Sequence, residues 1–191
     1  MKMLILASSS PRRKQLLETL NIPFIVVISS FEEVMNITQD PHKLAKELAL
    51  GKAKDVARKH KNAIVLAADT FIVLDNKYLG KPRDENDNVA MLQKLSGKMH
   101  QVITGFAIID AETGKTITQS ITSSIVMKSL TDEQITQYVQ DKKPFDKSGG
   151  YAIQEIGDTF VDKIDGDISN IIGLPMPQVK EALKEFGVET T

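Results

Sequence analysis

Short apolar runs alternate with helical segments through the first half of the chain. Met3–Ser8 is an apolar run that predicts a buried strand, and Ser10 then offers a helix N-cap with Pro11 at the first helical position. Pro41 to Lys59 has the apolar spacing of a long amphipathic helix, and Ala63–Ala68 predicts a second buried strand. This order of strands and helices favours an α/β fold.

The middle of the chain has the pattern of a β-hairpin. Val102–Asp110 and Thr116–Met127 flank the turn Ala111-Glu112-Thr113-Gly114. A hairpin among alternating strands and helices predicts a mixed sheet flanked by helices, in one domain spanning 1–191. Further strands are predicted at Phe24–Ile28, Phe71–Leu74, Tyr151–Gln154, Thr159–Ile164 and Ile168–Ile172, and further helices over about Pro11–Leu20, Asp84–Leu95, Thr131–Gln140 and Pro177–Phe186.

Charge and composition exclude several classes of function. The 24 Lys and Arg residues are balanced by 25 Asp and Glu residues, which argues against a general nucleic-acid binder. The chain has no cysteine, so disulfides, cysteine nucleophiles and cysteine-based metal sites are excluded. The apolar start is too short for a secretory signal or a membrane span. We therefore expect a cytoplasmic protein without a membrane partner.

A hydroxyl-rich turn with two arginines follows the first predicted strand. Ser8-Ser9-Ser10-Pro11-Arg12-Arg13 aims the free N–H groups of a helix start outward, where they attract anions. Arg12 and Arg13 oppose the helix dipole there, which is understandable if a phosphate chain binds to them. A capped surface helix with two solvated arginines is the alternative.

Ala67-Ala68-Asp69-Thr70 places an acid at the predicted exit of a buried strand. Ligand sites of α/β proteins usually form at this edge of the sheet. Asp69 could hold Mg²⁺ or act as a general base toward water, or it could only cap its own turn. Glu32 and Glu33 follow the second strand and could also supply a metal carboxylate.

Other polar residues have weaker signals. Lys81 lies between Gly80 and Pro82 and could reach a phosphate, although it could also be an ordinary loop lysine. Lys52 on the long helix is similar, since a lysine there can extend to solvent. The loop Asp146–Gly150 precedes Gln154, which can present a donor and an acceptor to a base. Phosphate-loop, zinc and serine-hydrolase motifs are absent from the sequence.

Together these motifs resemble the Maf (septum-formation inhibitor) family over nearly the whole chain, in order and at compatible spacing. The segments that carry the resemblance are Leu4-Ile5-Leu6-Ala7-Ser8-Ser9-Ser10-Pro11-Arg12-Arg13, Glu32-Glu33, Ala68-Asp69-Thr70, Gly80-Lys81-Pro82, Leu95-Ser96-Gly97, His100-Gln101-Val102, Asp146-Lys147-Ser148-Gly149-Gly150-Tyr151-Ala152-Ile153-Gln154 and Gly173-Leu174-Pro175.

The resemblance implies two lobes around a cleft, a homodimer, and a nucleoside triphosphate pyrophosphatase that cleaves between the α and β phosphates with a divalent metal, Mg²⁺ or Mn²⁺. It implies that Asp69 accepts the proton of the attacking water and that Glu33 and Asp69 hold the metal. The residues implied for substrate binding and specificity are Ser8, Arg12, Arg13, Lys52, Thr70, Lys81 and Gln154, with Arg12, Thr70 and Gln154 at the base and Arg13, Lys52 and Lys81 at the phosphates.

Within that family, Tyr151-Ala152-Ile153-Gln154 resembles the branch directed at dTTP and UTP, which implies a house-cleaning role toward unwanted or modified pyrimidine nucleotides. Ser148 and Gly150 stand where that branch usually has alanine, and Glu155 stands where it commonly has glycine. The alternatives are the sibling branch directed at 7-methyl-GTP and a regulatory protein that acts on cell division through a protein partner.

Overall fold

The structure, a computed structural model, describes residues 2–32 and 39–189. The strands are β1 (Met3–Leu6), β2 (Phe24–Val26), β3 (Ala63–Leu74), β4 (Lys77–Leu79), β5 (Met99–Asp110), β6 (Thr116–Met127) and β7 (Val161–Asp165). The helices are α1 (Pro11–Glu18), α2 (Pro41–Lys59), α3 (Glu85–Leu95), α4 (Asp132–Lys142), α5 (Ile153–Phe160), α6 (Ile168–Ile172) and α7 (Met176–Lys184). None of the helices in these two ranges is long and apolar enough to cross a membrane.

The strands form one seven-stranded mixed sheet in the order β2-β1-β3-β5-β6-β7, with β4 paired to β3. β1 is parallel to both β2 and β3, whereas β4 is antiparallel to β3 and β7 is antiparallel to β6. A tight turn follows β5, in which the Gly114 N–H donates to the Asp110 carbonyl at 2.8 Å. The predicted α/β fold with a mixed sheet flanked by helices is confirmed.

Several predicted helix starts are also confirmed. The Ser10 hydroxyl accepts from the Arg13 N–H at 3.5 Å, and α1 begins at Pro11. The helix α2 has the predicted ends, and Thr131 and Gln134 form the predicted capping box at the start of α4. These helix starts depend on contacts within one turn, which local sequence specifies.

Two predictions of strands are wrong. Tyr151–Gln154 is not a strand, because α5 begins at Ile153, and Ile168–Ile172 is the short helix α6. The predicted strands Ala63–Ala68 and Phe71–Leu74 are confirmed, and they form a single strand, β3, which continues through the polar pair between them. Short apolar runs have no period long enough to separate a strand from a helix.

The chain forms two compact units, and the first comprises Met1–Asp69, Thr104–Ile121 and Gly173–Thr191. Side chains alternate across its strands and pack against helices on both faces. One face packs with α1 and α7, and its buried residues are Leu4, Leu6, Leu17, Ile64, Leu66, Phe106, Val179 and Leu183. The other face packs with α2, and its buried residues are Ile5, Ala7, Ala49, Ala53, Val56, Val65, Ala67 and Ala107.

The second unit comprises Thr70–Ile103 and Thr122–Ile172. Its core is built from β-strand residues together with the apolar faces of α3, α4 and α5. The buried residues include Ile72, Leu92, Leu95, Val102, Ile125, Ile135, Val139, Tyr151, Ile156 and Phe160.

Candidate active site

Asp69 and Lys52 form an ion pair in the first unit. The period of two along β3 places Asp69 on the same face as Val65 and Ala67, which pack against α2. Lys52 lies on α2, and its Nζ donates to Asp69 Oδ1 at 2.5 Å. The two side chains are only 14% and 11% exposed. The prediction that β3 ends before Asp69 is wrong, yet the strand presents the carboxylate toward the helix that carries the lysine.

Arg13 lies beside the peptide that precedes Asp69. Its Nε donates to the Gly173 carbonyl at 2.8 Å, and its Nη1 donates to the Ala68 carbonyl at 2.6 Å. The guanidinium carries its donors on separate nitrogens of one rigid plane, and two of these nitrogens bond to the two carbonyls, whereas a lysine has all its donors on one nitrogen. The guanidinium therefore connects α1, β3 and the segment before α7, and it places a fixed positive charge at the carbonyl of the residue before Asp69.

The turn between β1 and α1 is short and well bonded. Ser8 is 7% exposed, and its hydroxyl accepts from the Ser10 N–H at 3.2 Å. Arg12 is half-buried in the first turn of α1. The prediction of a strand that feeds a capped helix start is confirmed, and its use as a phosphate site stays a prediction.

The segment after β2 is fastened to α2 close to Lys52. The Ser30 N–H donates to Asp55 Oδ2 at 2.7 Å, and this bond does most to lower the pKa of Asp55 to about 2. The Phe31 ring lies so close to Gly51 that a Cβ there would be 2.3 Å from the ring. Glu32 is exposed at the end of this segment. Glu33, a predicted metal ligand, lies outside the described residues.

Thr70, Lys81 and the glycine-rich loop come together in the second unit. The Ser148 hydroxyl donates to the Thr70 carbonyl at 3.3 Å. The Gly149 N–H donates to the Gly80 carbonyl at 2.9 Å, directly before the exposed Lys81. Gln154 is exposed in the first turn of α5, a few residues beyond the same loop. The loop thus bonds to the backbone of Thr70 and of the residue before Lys81, two of the predicted substrate residues.

Asn88 contacts this loop, and no sequence motif points to it. It is fully buried on α3, and its Nδ2 donates to the Gly150 carbonyl at 3.0 Å. Gly150 has a φ of +73°, and a Cβ there would lie 2.2 Å from that amide nitrogen. An isolated asparagine within a helix gives no signal of such a contact, and only the helical period places it on the buried face.

His100 and Tyr151 form a buried pair in the second unit. His100 Nε2 and the Tyr151 hydroxyl share a hydrogen bond at 2.6 Å. His100 is 2% exposed, and burial lowers its pKa to about 4. Burial likewise raises the pKa of Tyr151. Both groups are therefore neutral near pH 7.

The comparison with protein-family models identifies the group to which this chain belongs. The model described as "Maf-like protein" matches residues 3–186. The chain belongs to the Maf family. The family resemblance inferred from the sequence motifs is therefore confirmed.

Curated relatives of this Maf-family chain are similar over nearly its whole length. A dTTP/UTP pyrophosphatase of Bacillus cereus (strain G9842) is 44% identical over 191 residues, which are 100% of this chain and 99% of that protein. A dTTP/UTP pyrophosphatase of Alkaliphilus oremlandii is 48% identical over 177 residues, which are 92% of each chain. A dTTP/UTP pyrophosphatase of Bacillus mycoides is 44% identical over 100% of this chain and 99% of its own.

A solved structure also shows similarity. It is the crystal structure of a nucleoside-triphosphatase, dITP/XTP pyrophosphatase, from Mycobacterium abscessus. It covers 97% of this chain and 95% of its own, at 17% identity and a TM-score of 0.47. A likeness at this level carries no inference about this Maf-family chain.

The two units of this Maf-family chain each contain part of the predicted residue set. Ser8, Arg12, Arg13, Lys52 and Asp69 lie in the first unit, and Thr70, Lys81 and Gln154 lie in the second. Within residues 2–32 and 39–189, no group of three or more His, Asp or Glu side chains could hold a metal by itself.

Proposed function

We propose that this Maf-family chain hydrolyses dTTP and UTP to the nucleoside monophosphate and pyrophosphate. The observation that carries the proposal is the largely buried Lys52–Asp69 pair, 2.5 Å apart, with the Arg13 guanidinium on the adjacent Ala68 carbonyl. Hydrolysis of a phosphoanhydride needs a proton acceptor for water and fixed positive charge for the phosphates. The names of the curated relatives support the choice of dTTP and UTP.

In the proposed reaction, Asp69 accepts a proton from a water molecule as that water attacks the α phosphorus. The bond from the α phosphorus to the bridging oxygen breaks, and pyrophosphate leaves with the electron pair of that bond. Lys52 has three N–H donors, so one can stay on Asp69 while another contacts a phosphate oxygen. Fixed donors of this kind stabilise developing charge without having to reorganise during the reaction.

Arg13 would add positive charge at the start of α1. Arg13 already donates to two backbone carbonyls, which fixes its position before any substrate binds. Ser8 and its neighbours supply N–H and hydroxyl groups at the same helix start. We assign this corner of the first unit to the phosphates of the substrate.

The donor set at Asp69 fits a divalent cation of the Mg²⁺ or Mn²⁺ type. Such ions prefer oxygen ligands and are often held by one or two carboxylates together with substrate phosphates. Asp69 would be the ligand among the described residues, and Glu33 is the second ligand that the family resemblance implies. When bound, the cation would neutralise phosphate charge and align the triphosphate.

We assign base recognition to Arg12, Thr70 and Gln154, and a phosphate contact to Lys81. The loop that bonds to Thr70 and Gly80 supports this assignment, because it restrains the backbone next to Thr70 and Lys81 in the second unit. The house-cleaning role, the homodimer and the cytoplasmic location stay predictions of the sequence.

A pyrophosphate-release assay with Mg²⁺ or Mn²⁺ tests the proposed function. The panel contains dTTP, UTP, 7-methyl-GTP and the common purine triphosphates. We expect the highest kcat/KM with dTTP and UTP. Preferential release from 7-methyl-GTP would overturn the substrate assignment. No release from any nucleotide would overturn the enzymatic function and favour a regulatory protein.

A further inference from the structure

The hydroxyl of Tyr138 bonds to both sides of Gln154. Tyr138 lies on α4 and is 8% exposed. Its hydroxyl donates to Glu155 Oε2 at 2.8 Å and accepts from the Ala152 N–H at 3.2 Å. Ala152 and Glu155 are the first and last residues of a turn that the Glu155 N–H closes onto the Ala152 carbonyl at 2.9 Å. Gln154 lies inside this turn.

The N–H group at the start of this turn takes its acceptor from Tyr138. Ala152 is the N-cap residue of α5, and the first N–H groups of a helix have no acceptor within it, so the Ala152 N–H needs one from elsewhere. The helix departs from helical geometry at Gly157, where φ is +28° and ψ is −133°. The first turn of α5 is therefore a short piece that is not stiffened by a long helix behind it.

Two further contacts define how Tyr138 and Glu155 are held. The Tyr138 ring packs edge-on against Phe160, with ring centroids 5.4 Å apart. Glu155 Oε1 also lies 3.8 Å from Lys147 Nζ, so the carboxylate connects the turn to the glycine-rich loop. The ring would keep its packing if the hydroxyl were removed, which makes the hydroxyl separable by mutation.

We propose that Tyr138, acting with Glu155, is a positioning residue that sets the orientation of Gln154 and through it the base preference. The inference rests on the proposed function, and specifically on Gln154 as the residue that contacts the base. The family branch that this chain resembles commonly has glycine at the position of Glu155. The bond from Tyr138 to a carboxylate is therefore a property of this chain. A hydroxyl that holds both sides of the turn restricts the directions that the Gln154 side chain can take.

The test compares wild type with Tyr138→Phe, Gln154→Ala and the double variant, using kcat/KM for dTTP and for dGTP. We expect Tyr138→Phe to change the dTTP-to-dGTP ratio by about threefold to tenfold, the scale of one or two lost hydrogen bonds. The change should lie in KM, with kcat for dTTP nearly unchanged. In the Gln154→Ala background, Tyr138→Phe should add nothing further to the ratio.

Two variants of Glu155 separate the hydrogen bond from the charge. Glu155→Gln keeps an acceptor oxygen for the Tyr138 hydroxyl, and we expect a ratio close to that of wild type. Glu155→Ala removes the acceptor, and we expect a shift in the direction of Tyr138→Phe. If Glu155→Gln shifts the ratio as far as Glu155→Ala, charge near the base is responsible and the inference is wrong. Gln137→Ala is the matched control on α4, because this exposed side chain donates to Asp141 Oδ1 on the same helix.

Hydrogen exchange gives a readout that does not depend on activity. The Ala152 amide loses its acceptor in Tyr138→Phe, so it should exchange faster than in wild type and in Gln137→Ala. An unchanged exchange rate overturns the inference. The inference is also wrong if Tyr138→Phe leaves the dTTP-to-dGTP ratio of kcat/KM unchanged while Gln154→Ala changes it, and in that case the proposed function stands.

Two other outcomes reach further. An unchanged ratio in Gln154→Ala overturns both the role of Gln154 and the inference. A wild-type chain that releases no pyrophosphate overturns the proposed function itself.

Discussion

The ammonium of Lys52 lies 2.5 Å from the carboxylate of Asp69, and both side chains are largely buried. A buried charge without a partner is costly, so the ion pair holds both side chains in place. Helix α2 and strand β3 set this distance through the packing between them. The pair is thus organised before a substrate binds, as electrostatic stabilisation of a transition state requires.

Replacing Lys52 by methionine should lower kcat/KM for dTTP by about 100-fold, because the charge that faces the phosphates and steadies Asp69 is lost. Lys2→Met is the matched control. Lys2 pairs with the Asp110 carboxylate at 2.7 Å in the same unit, so its loss should weaken folding and leave kcat/KM unchanged. Equal losses of kcat/KM in the two variants would contradict a special role for Lys52.

Arg13→Lys should reduce both stability and activity, whereas Arg12→Lys should mainly raise KM. A lysine at position 13 lacks the two separate nitrogens that bond to the carbonyls of Ala68 and Gly173, and we expect a cost of about 1–3 kcal/mol in the free energy of unfolding. Urea unfolding and steady-state kinetics measure the two effects. Identical unfolding midpoints for both variants would show that the two carbonyl contacts contribute no stability.

His100 should make folding sensitive to mild acid. Its pKa is lowered from 6.5 to about 4 by burial, so the unfolded chain takes up this proton at a higher pH than the folded chain. The contribution of neutral His100 to the free energy of unfolding is fully present above pH 6.5. It is lost as the pH falls toward 4, and the loss is about 3 kcal/mol for one such group.

The pH dependence of unfolding in wild type and His100→Gln isolates this effect. The variant should have a flatter stability profile between these two pH values, whatever its absolute stability. Asp55 and Asp110 do not interfere, because their pKa values are lowered from 3.8 to about 2 and their stabilisation is lost at lower pH. Profiles with the same slope would contradict a buried neutral His100.

Gly150→Ala should destabilise the second unit through a collision with Asn88. The new Cβ would lie 2.2 Å from Asn88 Nδ2, and the positive φ adds strain of about 1–2 kcal/mol. Asn88→Ala removes the collision and leaves the strain, so Gly150→Ala should cost less in the Asn88→Ala background. Denaturant unfolding of the two single variants and the double variant measures this coupling. Additive losses would show that the two residues do not interact.

Local sequence was sufficient to predict the elements with long periods and clear ends. The apolar spacing predicts helix α2 with the bounds that the structure shows. In the structure, the Asp40 side chain caps the start of this helix. The polar pair Asp69-Thr70 suggested that a strand had ended, but β3 continues because apolar residues pack on both sides of the pair. Polarity alone therefore misplaced this strand end.

The error in α5 has a different origin. Ile153, Ile156 and Phe160 have helical spacing, and all three are buried in the second unit. The run is short and contains Gly157, so its helical spacing does not stand out in the sequence. Strand and helix compete closely in segments of this size, and tertiary packing decides between them.

The sequence predicts which residues belong to the candidate site, but only partly how they contact one another. The motifs indicated Asp69 and Lys52 separately, while their contact depends on the packing of α2 against β3. The bonds of Arg13 to Ala68 and Gly173 join segments far apart in sequence, and Tyr138 belongs to no motif. Long-range contacts of this kind become visible only in the folded chain.

The central claim is that Asp69 is the proton acceptor in hydrolysis of nucleoside triphosphates. Its most direct test is the rate of pyrophosphate release from dTTP by Asp69→Asn, with Asp110→Asn as the control. The Asp110 side chain is 12% exposed, close to the 11% of Asp69, and it is also paired with a lysine in the first unit. We predict that Asp69→Asn folds but loses about 100-fold or more in kcat, whereas Asp110→Asn keeps kcat and loses stability. Normal dTTP turnover by folded Asp69→Asn would contradict the account.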